Sequence, residues 1–157
     1  MSSHESTEHE TNGEPQSLNT AKLPRVDVAI VDDSITIRKI VEVCLGREGI
    51  TVKGFADGIE LLEWVHRQNK DVPSVFLLDV VLPKMNGYAI AQHLRRRPET
   101  KDCFMMFLTR RDGLFDRLKG RFVGGSAHLS KPFQTSELIN AVWEALKQSR
   151  SREDQKD

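Results

Sequence analysis

Five polar residues stand at or near the ends of short apolar runs: Asp32, Asp33, Asp79, Thr109 and Lys131. Carboxylate oxygens are hard donors that suit Mg²⁺ or Mn²⁺, and three acids held together without such a cation would repel one another. An ammonium group and a hydroxyl at the same place suit a tetrahedral anion. If the fold brings these residues together, the chemistry they indicate is metal-assisted transfer of a phosphoryl group.

Asp79 is the most unusual of these residues, because it interrupts the apolar sequence LLDVVLPKMNG that runs from Leu77 to Gly87. A buried carboxylate without a partner is costly. We therefore expect Asp79 to leave a strand at a crevice, where its oxygen can act as a nucleophile toward phosphorus.

Short apolar runs alternate with helical patterns along the chain, and this order predicts the elements that position the acids. Strands are predicted at Val26 to Val31, Thr51 to Phe55, Val75 to Leu78, Cys103 to Leu108 and Ala127 to Leu129. Helices are predicted from about Ser34 to Arg47, after the Asp57-Gly58 turn, after Gly87, around Asp112 to Gly120, and from an N-cap at Thr135. Such alternation favours an α/β fold with a doubly wound parallel sheet of five strands and five helices.

The position of the polar residues relative to the predicted sheet supports a common site. Ligands of doubly wound folds bind beyond the carboxyl ends of the strands. Taken singly, Asp32 and Asp33 could cap a helix, Thr109 could be a strand-end hydroxyl, and Lys131 could be a surface charge. Complementary chemistry at four strand ends is better explained by one site.

Bulk composition limits the other classes of function. Lys plus Arg equals Asp plus Glu at 23 each, so no overall charge favours nucleic acid or a membrane surface. No apolar run is long enough to cross a bilayer and no secretory signal is recognised, which predicts a cytoplasmic protein. Cys44 and Cys103 lack metal-site spacing and are expected to be reduced thiols. We expect disordered tails at residues 1–23 and 148–157 around a folded domain at 24–147.

The chain resembles the receiver domain of two-component response regulators. The matching pieces are VDDS (Val31 to Ser34), LLDVVLPKMNG, FLT (Phe107 to Thr109) and LSKPF (Leu129 to Phe133), and the resemblance covers essentially the whole folded unit. It implies the flavodoxin-like strand order 2-1-3-4-5. It also implies that Asp79 accepts a phosphoryl group from a sensor histidine kinase or a phosphotransfer protein.

The resemblance assigns roles to the other residues as well. Mg²⁺ would be held by Asp33, Asp79 and the backbone carbonyl of Val81, with Asp32 acting through water. Thr109 and Lys131 would each contact a phosphoryl oxygen, and the Lys131-Pro132 peptide bond would be cis. Phosphorylation would draw Thr109 inward and change the partner-binding face formed by the fourth helix, fifth strand and fifth helix.

Two positions depart from the family pattern. His128 stands where the family usually has the Tyr or Phe of the conformational switch, so it is either a switch residue or a half-buried polar residue. Arg110 stands where a small residue is common; Arg110 or Arg111 could gate access to the site, with apolar Val81 keeping water poorly oriented, or both arginines could simply be solvated.

The function expected from these features is that of a single-domain phosphorylation switch that acts by protein binding. A narrower similarity, carried by the stretch LTRRDGLFDRLKGRFVGGSAHLSKPF, is to receivers of chemotaxis-like systems that control motility. A phosphorelay intermediate, a phosphate sink and a phosphorylation-independent adaptor remain alternatives. A phosphatase that turns over an aspartyl intermediate is disfavoured, because Val81 stands where the second Asp of such enzymes is needed.

Overall fold

A computed structural model describes residues 25–110 and 126–155 of the chain. Its strands are β1 (Val28–Val31), β2 (Val52–Phe55), β3 (Val75–Asp79), β4 (Phe104–Arg110) and β5 (Ser126–Lys131). Its helices are α1 (Ile35–Arg47), α2 (Gly58–Gln68), α3 (Gly87–Arg95) and α4 (Thr135–Asp154). The helix predicted around Asp112 to Gly120 lies outside the described residues, so α4 corresponds to the fifth predicted helix.

The sheet is parallel throughout, with the order β2-β1-β3-β4-β5. This confirms the predicted doubly wound α/β fold and its strand order. The three central strands are almost wholly buried, because helices cover both faces of the sheet. Alternate residues of each strand therefore enter different apolar layers: Ala29 and Val31 lie in the layer under α2 and α3, and Val28 and Ile30 in the layer under α1 and α4.

The strands near the site extend further than the apolar runs predicted. Asp79 is the last residue of β3 and pairs with Leu108 of β4. Thr109 and Lys131 also belong to strands, because β4 and β5 continue their ladder through the pairs Thr109–Ser130 and Arg110–Lys131. The reactive side chains are thus fixed by strand backbone rather than by flexible loops.

Helix starts are set by side-chain caps in three cases. Ser34 accepts a hydrogen bond from the N–H of Ile37, Asp57 from Glu60, and Asn86 from Ala89. The prediction of Thr135 as an N-cap is wrong: Gln134 holds that position without a side-chain cap, and Thr135 is the first helical residue.

Helix α4 also corrects the predicted C-terminal tail. It runs to Asp154, so the expectation of disorder from residue 148 onward is wrong for residues 148–154. Ser149 is buried there, and Arg152 donates to the backbone carbonyl of Asp102 at 3.5 Å. None of the helices within residues 25–110 and 126–155 is long and apolar enough to span a bilayer.

Candidate functional site

Three carboxylates meet at the carboxyl edge of the sheet. Asp32 and Asp33 occupy the short connection between β1 and α1, and Asp79 ends β3. One oxygen from each lies within 4.8 Å of the others. Asp32 is fully buried, Asp79 is 6% exposed, and Asp33 faces solvent. The predicted convergence of these acids is therefore what the fold produces.

Lys131 supplies the positive charge of this cluster. Its Nζ lies 2.5 Å from Oδ2 of Asp32 and 3.2 Å from Oδ2 of Asp79. The ammonium reaches the acids from the end of β5, and the Lys131-Pro132 peptide bond is cis. One ammonium beside three carboxylates leaves the cluster net negative when all are ionised.

The environment of Asp79 disfavours its charged form. Burial raises the pKa of this carboxyl above its ordinary value, and nearby Asp32 raises it further. Lys131 and the backbone N–H of Val81, which donates to Oδ1 of Asp79 at 3.0 Å, act in the opposite direction without overcoming burial. A cation brought to this carboxylate would relieve the cost of keeping it ionised.

The donor set fits a hard divalent cation. Carboxylate oxygens are the ligands that Mg²⁺ prefers, and Asp33 is open to solvent on the side where retained waters would be needed. A cluster of two buried acids and one exposed acid can therefore hold such an ion.

Thr109 lies at the same edge of the sheet. It follows Leu108, the β4 partner of Asp79, and the residue is only 4% exposed. A threonine thus stands at the carboxyl end of β4, on the strand that pairs with the strand of Asp79.

Val81 and Arg110 each lie next to a residue of the cluster. Val81 contributes its backbone N–H to Asp79, while its side chain is 54% exposed. Arg110 is exposed at the end of β4, beside Lys131 in the ladder. Arg111 lies outside the described residues.

His128 is half-buried in the middle of β5. It pairs with Phe107 of β4, and the two ring centroids are 5.5 Å apart. Phe107 in turn contacts Tyr88 of α3 at 4.6 Å. The rings of Tyr88, Phe107 and His128 thus form a row that runs from α3 through β4 to β5. Phe107, the middle ring, stands two residues before Thr109.

Sequence reasoning missed two residues that shape the site. A Cβ on Gly87 would lie 2.6 Å from the carbonyl oxygen of Asp79, so this glycine allows α3 to start directly against the backbone of Asp79. Arg38 of α1 donates from Nη1 to the backbone carbonyl of Asp32 at 2.6 Å. Gly87 stands in the LPKMNG stretch and could have been suspected there; Arg38 gives no local signal, because its acceptor is a backbone atom six residues away.

Comparison with known proteins agrees with this geometry. The model of the response regulator receiver domain matches residues 28–143. The chain is 33% identical over 115 residues to Protein PilG of Pseudomonas aeruginosa, covering 73% of this chain and 83% of that protein. It is 32% identical over 120 residues to the sensor histidine kinase CheAY of Helicobacter pylori, but spans only 15% of that protein.

Solved structures show the same architecture. Chemotaxis protein CheY4 of Vibrio cholerae superposes with a TM-score of 0.68 at 30% identity, covering 75% of this chain and 96% of that one. A putative response regulator from Chloroflexus aurantiacus gives a TM-score of 0.70 at 30% identity, with coverage of 76% and 96%. The match of the receiver model over most of the sequence, together with the acid cluster and its lysine, shows that this chain belongs to the response regulator receiver domain family.

Proposed function

We propose that this protein is a response regulator that accepts a phosphoryl group on Asp79 and signals by phosphorylation-dependent protein binding. The donor is the phosphohistidine of a sensor histidine kinase or a phosphotransfer protein. The observation that carries the proposal is the position of Lys131 Nζ, 3.2 Å from Asp79 and 2.5 Å from Asp32, beside a cluster of three acids.

Phosphoryl transfer follows from the chemistry of these groups. A carboxylate oxygen of Asp79 forms a bond to phosphorus as the P–N bond to the donor imidazole breaks, and the leaving imidazole keeps the electron pair and takes up a proton. Lys131 and Thr109 each stabilise charge on a phosphoryl oxygen in this loose in-line transfer. The protein thus catalyses only its own phosphorylation and dephosphorylation.

Mg²⁺, or Mn²⁺ in its place, would neutralise charge on the phosphoryl oxygens when bound. Asp33, Asp79 and the backbone carbonyl of Val81 would hold it directly, with Asp32 acting through water. Asp32 has a second role here, because its short contact with Lys131 keeps the ammonium at the site while the charge of Asp79 changes.

The output is a change of surface rather than a turnover reaction. Thr109 moves toward the phosphoryl group, and the aromatic row of Phe107 and His128 transmits the shift to the face that includes β5 and α4. A downstream protein docks on this face. We propose no role in nucleic-acid binding or membrane insertion.

Similarity to PilG and to a chemotaxis protein supports a role in motility or chemotaxis-like control. The described Cys44 and Cys103 are free thiols, which fits a reducing compartment and the proposal that the protein acts in the cytoplasm. Phosphoryl relay to another protein, or service as a phosphate sink, would use the same site.

Intact-mass spectrometry after incubation with acetyl phosphate tests the proposal. The wild-type protein should gain one acid- and base-labile phosphoryl group in the presence of Mg²⁺, and Asp79→Asn should gain none. A folded wild-type protein that gains no phosphoryl group from acetyl phosphate or from a phosphohistidine donor would contradict it.

Partner capture separates a switch from an adaptor with a receiver fold. Phosphorylated wild-type protein should retain partners that Asp79→Asn protein does not. Equal capture by both proteins would favour phosphorylation-independent binding.

A further inference from the structure

The backbone of Asp32 is held by an arginine that takes no part in the acid cluster. Arg38 lies in the first turns of α1, and its Nη1 donates to the carbonyl oxygen of Asp32 at 2.6 Å. The acceptor is a peptide oxygen, so the guanidinium leaves the carboxylates available to other groups. We infer that Arg38 is a positioning residue that orients the Asp32–Asp33 peptide for cation binding and phosphoryl transfer; this inference rests on the function proposed above.

Asp32 has a partner at each of its polar atoms. Its N–H donates to the carbonyl of Phe55 at 3.1 Å. Its Oδ1 accepts from the N–H of Ser34 at 2.9 Å, and its Oδ2 accepts from Lys131 at 2.5 Å. Arg38 completes this set at the carbonyl oxygen. Asp32 is fully buried, so these partners replace the water that its polar atoms would otherwise bind, while the donors Ser34, Arg38 and Lys131 are themselves partly exposed.

The carbonyl of Asp32 and the N–H of Asp33 belong to one planar peptide group. A bond that fixes this carbonyl therefore fixes the backbone from which the Asp33 side chain projects. Asp33 is the exposed member of the acid cluster, and it has less packing than Asp32 or Asp79 to hold it in place. Arg38 thus acts on the cation site through the peptide and not through direct contact.

The stem of Arg38 is also confined. A Cβ on Gly54 of β2 would lie 3.2 Å from Cδ of Arg38 and 2.7 Å from Oε1 of Glu42. The absence of a side chain at Gly54 provides the room in which Arg38 crosses toward Asp32. The planar, permanently charged guanidinium suits a short hydrogen bond in this space.

Positioning and simple charge predict opposite effects on Mg²⁺ binding. Arg38 is a cation near an acidic site, so its charge alone repels Mg²⁺ and its removal should strengthen binding. If Arg38 positions the acids, its removal should weaken binding instead. Loss of a group that orients metal ligands costs about 10- to 100-fold in metal affinity.

The test compares Arg38→Met with Lys39→Met, an equal change of charge at the neighbouring exposed position of α1. Calorimetry should show Mg²⁺ affinity reduced about 10-fold or more in Arg38→Met and little changed in Lys39→Met, with partial recovery in Arg38→Lys. The backbone amide resonance of Asp33 should shift in metal-free Arg38→Met, and labelling by acetyl phosphate should need more Mg²⁺.

Gly54→Ala provides a second route if Arg38→Met does not fold. It pushes the Arg38 stem while keeping its charge, and should weaken Mg²⁺ binding in the same direction. Wild-type or tighter Mg²⁺ binding in Arg38→Met, or in Gly54→Ala if that variant alone folds, would overturn the inference. A wild-type protein that is never labelled contradicts the proposed function instead, whatever the variants do.

Discussion

At the scale of single residues, the account depends on how Asp79 is kept reactive inside a folded protein. Its carboxyl is buried, close to Asp32, and only partly compensated by Lys131 and the Val81 N–H. An ionised group in this position destabilises the fold in the absence of a cation. Functional sites commonly keep such local conflicts because the chemistry needs them.

Asp79→Asn should therefore stabilise the metal-free protein at neutral pH, by about 1 kcal/mol. Folding raises the pKa of Asp79, so protonation of this carboxyl favours the folded state. This stabilisation is complete below the ordinary pKa of 3.8 and is lost as the pH rises through the raised pKa. The difference between the two proteins should thus be largest near pH 7 and shrink as the pH falls toward 3.8. Urea unfolding across this range measures it, with Glu63→Gln at an exposed position of α2 as a control. An Asp79→Asn protein less stable than wild type at pH 7 would show that the ion pair outweighs burial.

Arg110 is the residue for which access to the phosphoryl group can be tested. It is exposed beside Lys131 at the site margin, and we predict that Arg110→Ala shortens the lifetime of the aspartyl phosphate several-fold, because water then reaches phosphorus more readily. The rate of phosphoryl loss after removal of the donor measures this effect. Arg47→Ala, a change at an exposed arginine in the last turn of α1, should leave the rate unchanged. Equal lifetimes for Arg110→Ala and wild type would rule out gating by Arg110.

At the scale of elements, the site depends on how closely α3 begins against β3. Gly87 is the first residue of α3, and the space of its absent side chain is filled by the carbonyl of Asp79. The start of the helix and the end of the strand are therefore in close contact at Asp79.

Gly87→Ala should lower the free energy of unfolding by about 1–3 kcal/mol, because backbone atoms must move to admit a methyl group, and it should slow phosphorylation of Asp79. Gly46→Ala is the matched control, since nothing lies within 4 Å of its Cβ position in α1 and the change should stabilise the helix by about 0.5–1 kcal/mol. Thermal unfolding and acetyl phosphate labelling measure the two effects. A Gly87→Ala protein with wild-type stability and rate would contradict the packing argument.

The sequence predicted the strands and the acid cluster because apolar runs and strand-end positions are local patterns. The central strands are buried on both faces and so appear as continuous apolar runs, and the family motifs give the strand order. Arg38 and Gly87 were missed as site residues because each acts on a backbone carbonyl brought near by the fold. The N-cap of α4 was misplaced because Thr135 has the right chemistry but stands one residue inside the helix.

At the scale of the whole molecule, α4 extends the fold past the matched receiver region, which ends at residue 143. The turns after residue 147 are mostly polar, so hydrophobic periodicity did not predict them. They lie at the amino-terminal ends of the strands, away from the acid cluster at the carboxyl ends. There, Glu153 lies 3.8 Å from Arg25, and Arg152 contacts the backbone at Asp102.

A chain ended at Lys147 should be less stable by about 1–2 kcal/mol, because it loses buried Ser149 and the contacts around Asp102. Acetyl phosphate labelling should be unchanged, since the acid cluster is at the other edge. Arg25→Gln, which removes an exposed ion pair to Glu153 and an exposed hydrogen bond to the Ser74 hydroxyl, should cost less than about 1 kcal/mol. Equal thermal stability of the shortened and full chains would show that these turns do not stabilise the domain.

The measurement that tests the central claim most directly is to locate the phosphoryl group by residue. Borohydride reduces an aspartyl phosphate to homoserine, so labelled protein can be reduced, digested and sequenced by tandem mass spectrometry. The account predicts homoserine at residue 79, dependent on Mg²⁺ and strongly reduced in Lys131→Met. Homoserine at residue 32 or 33, or labelled protein with none at residue 79, would contradict it.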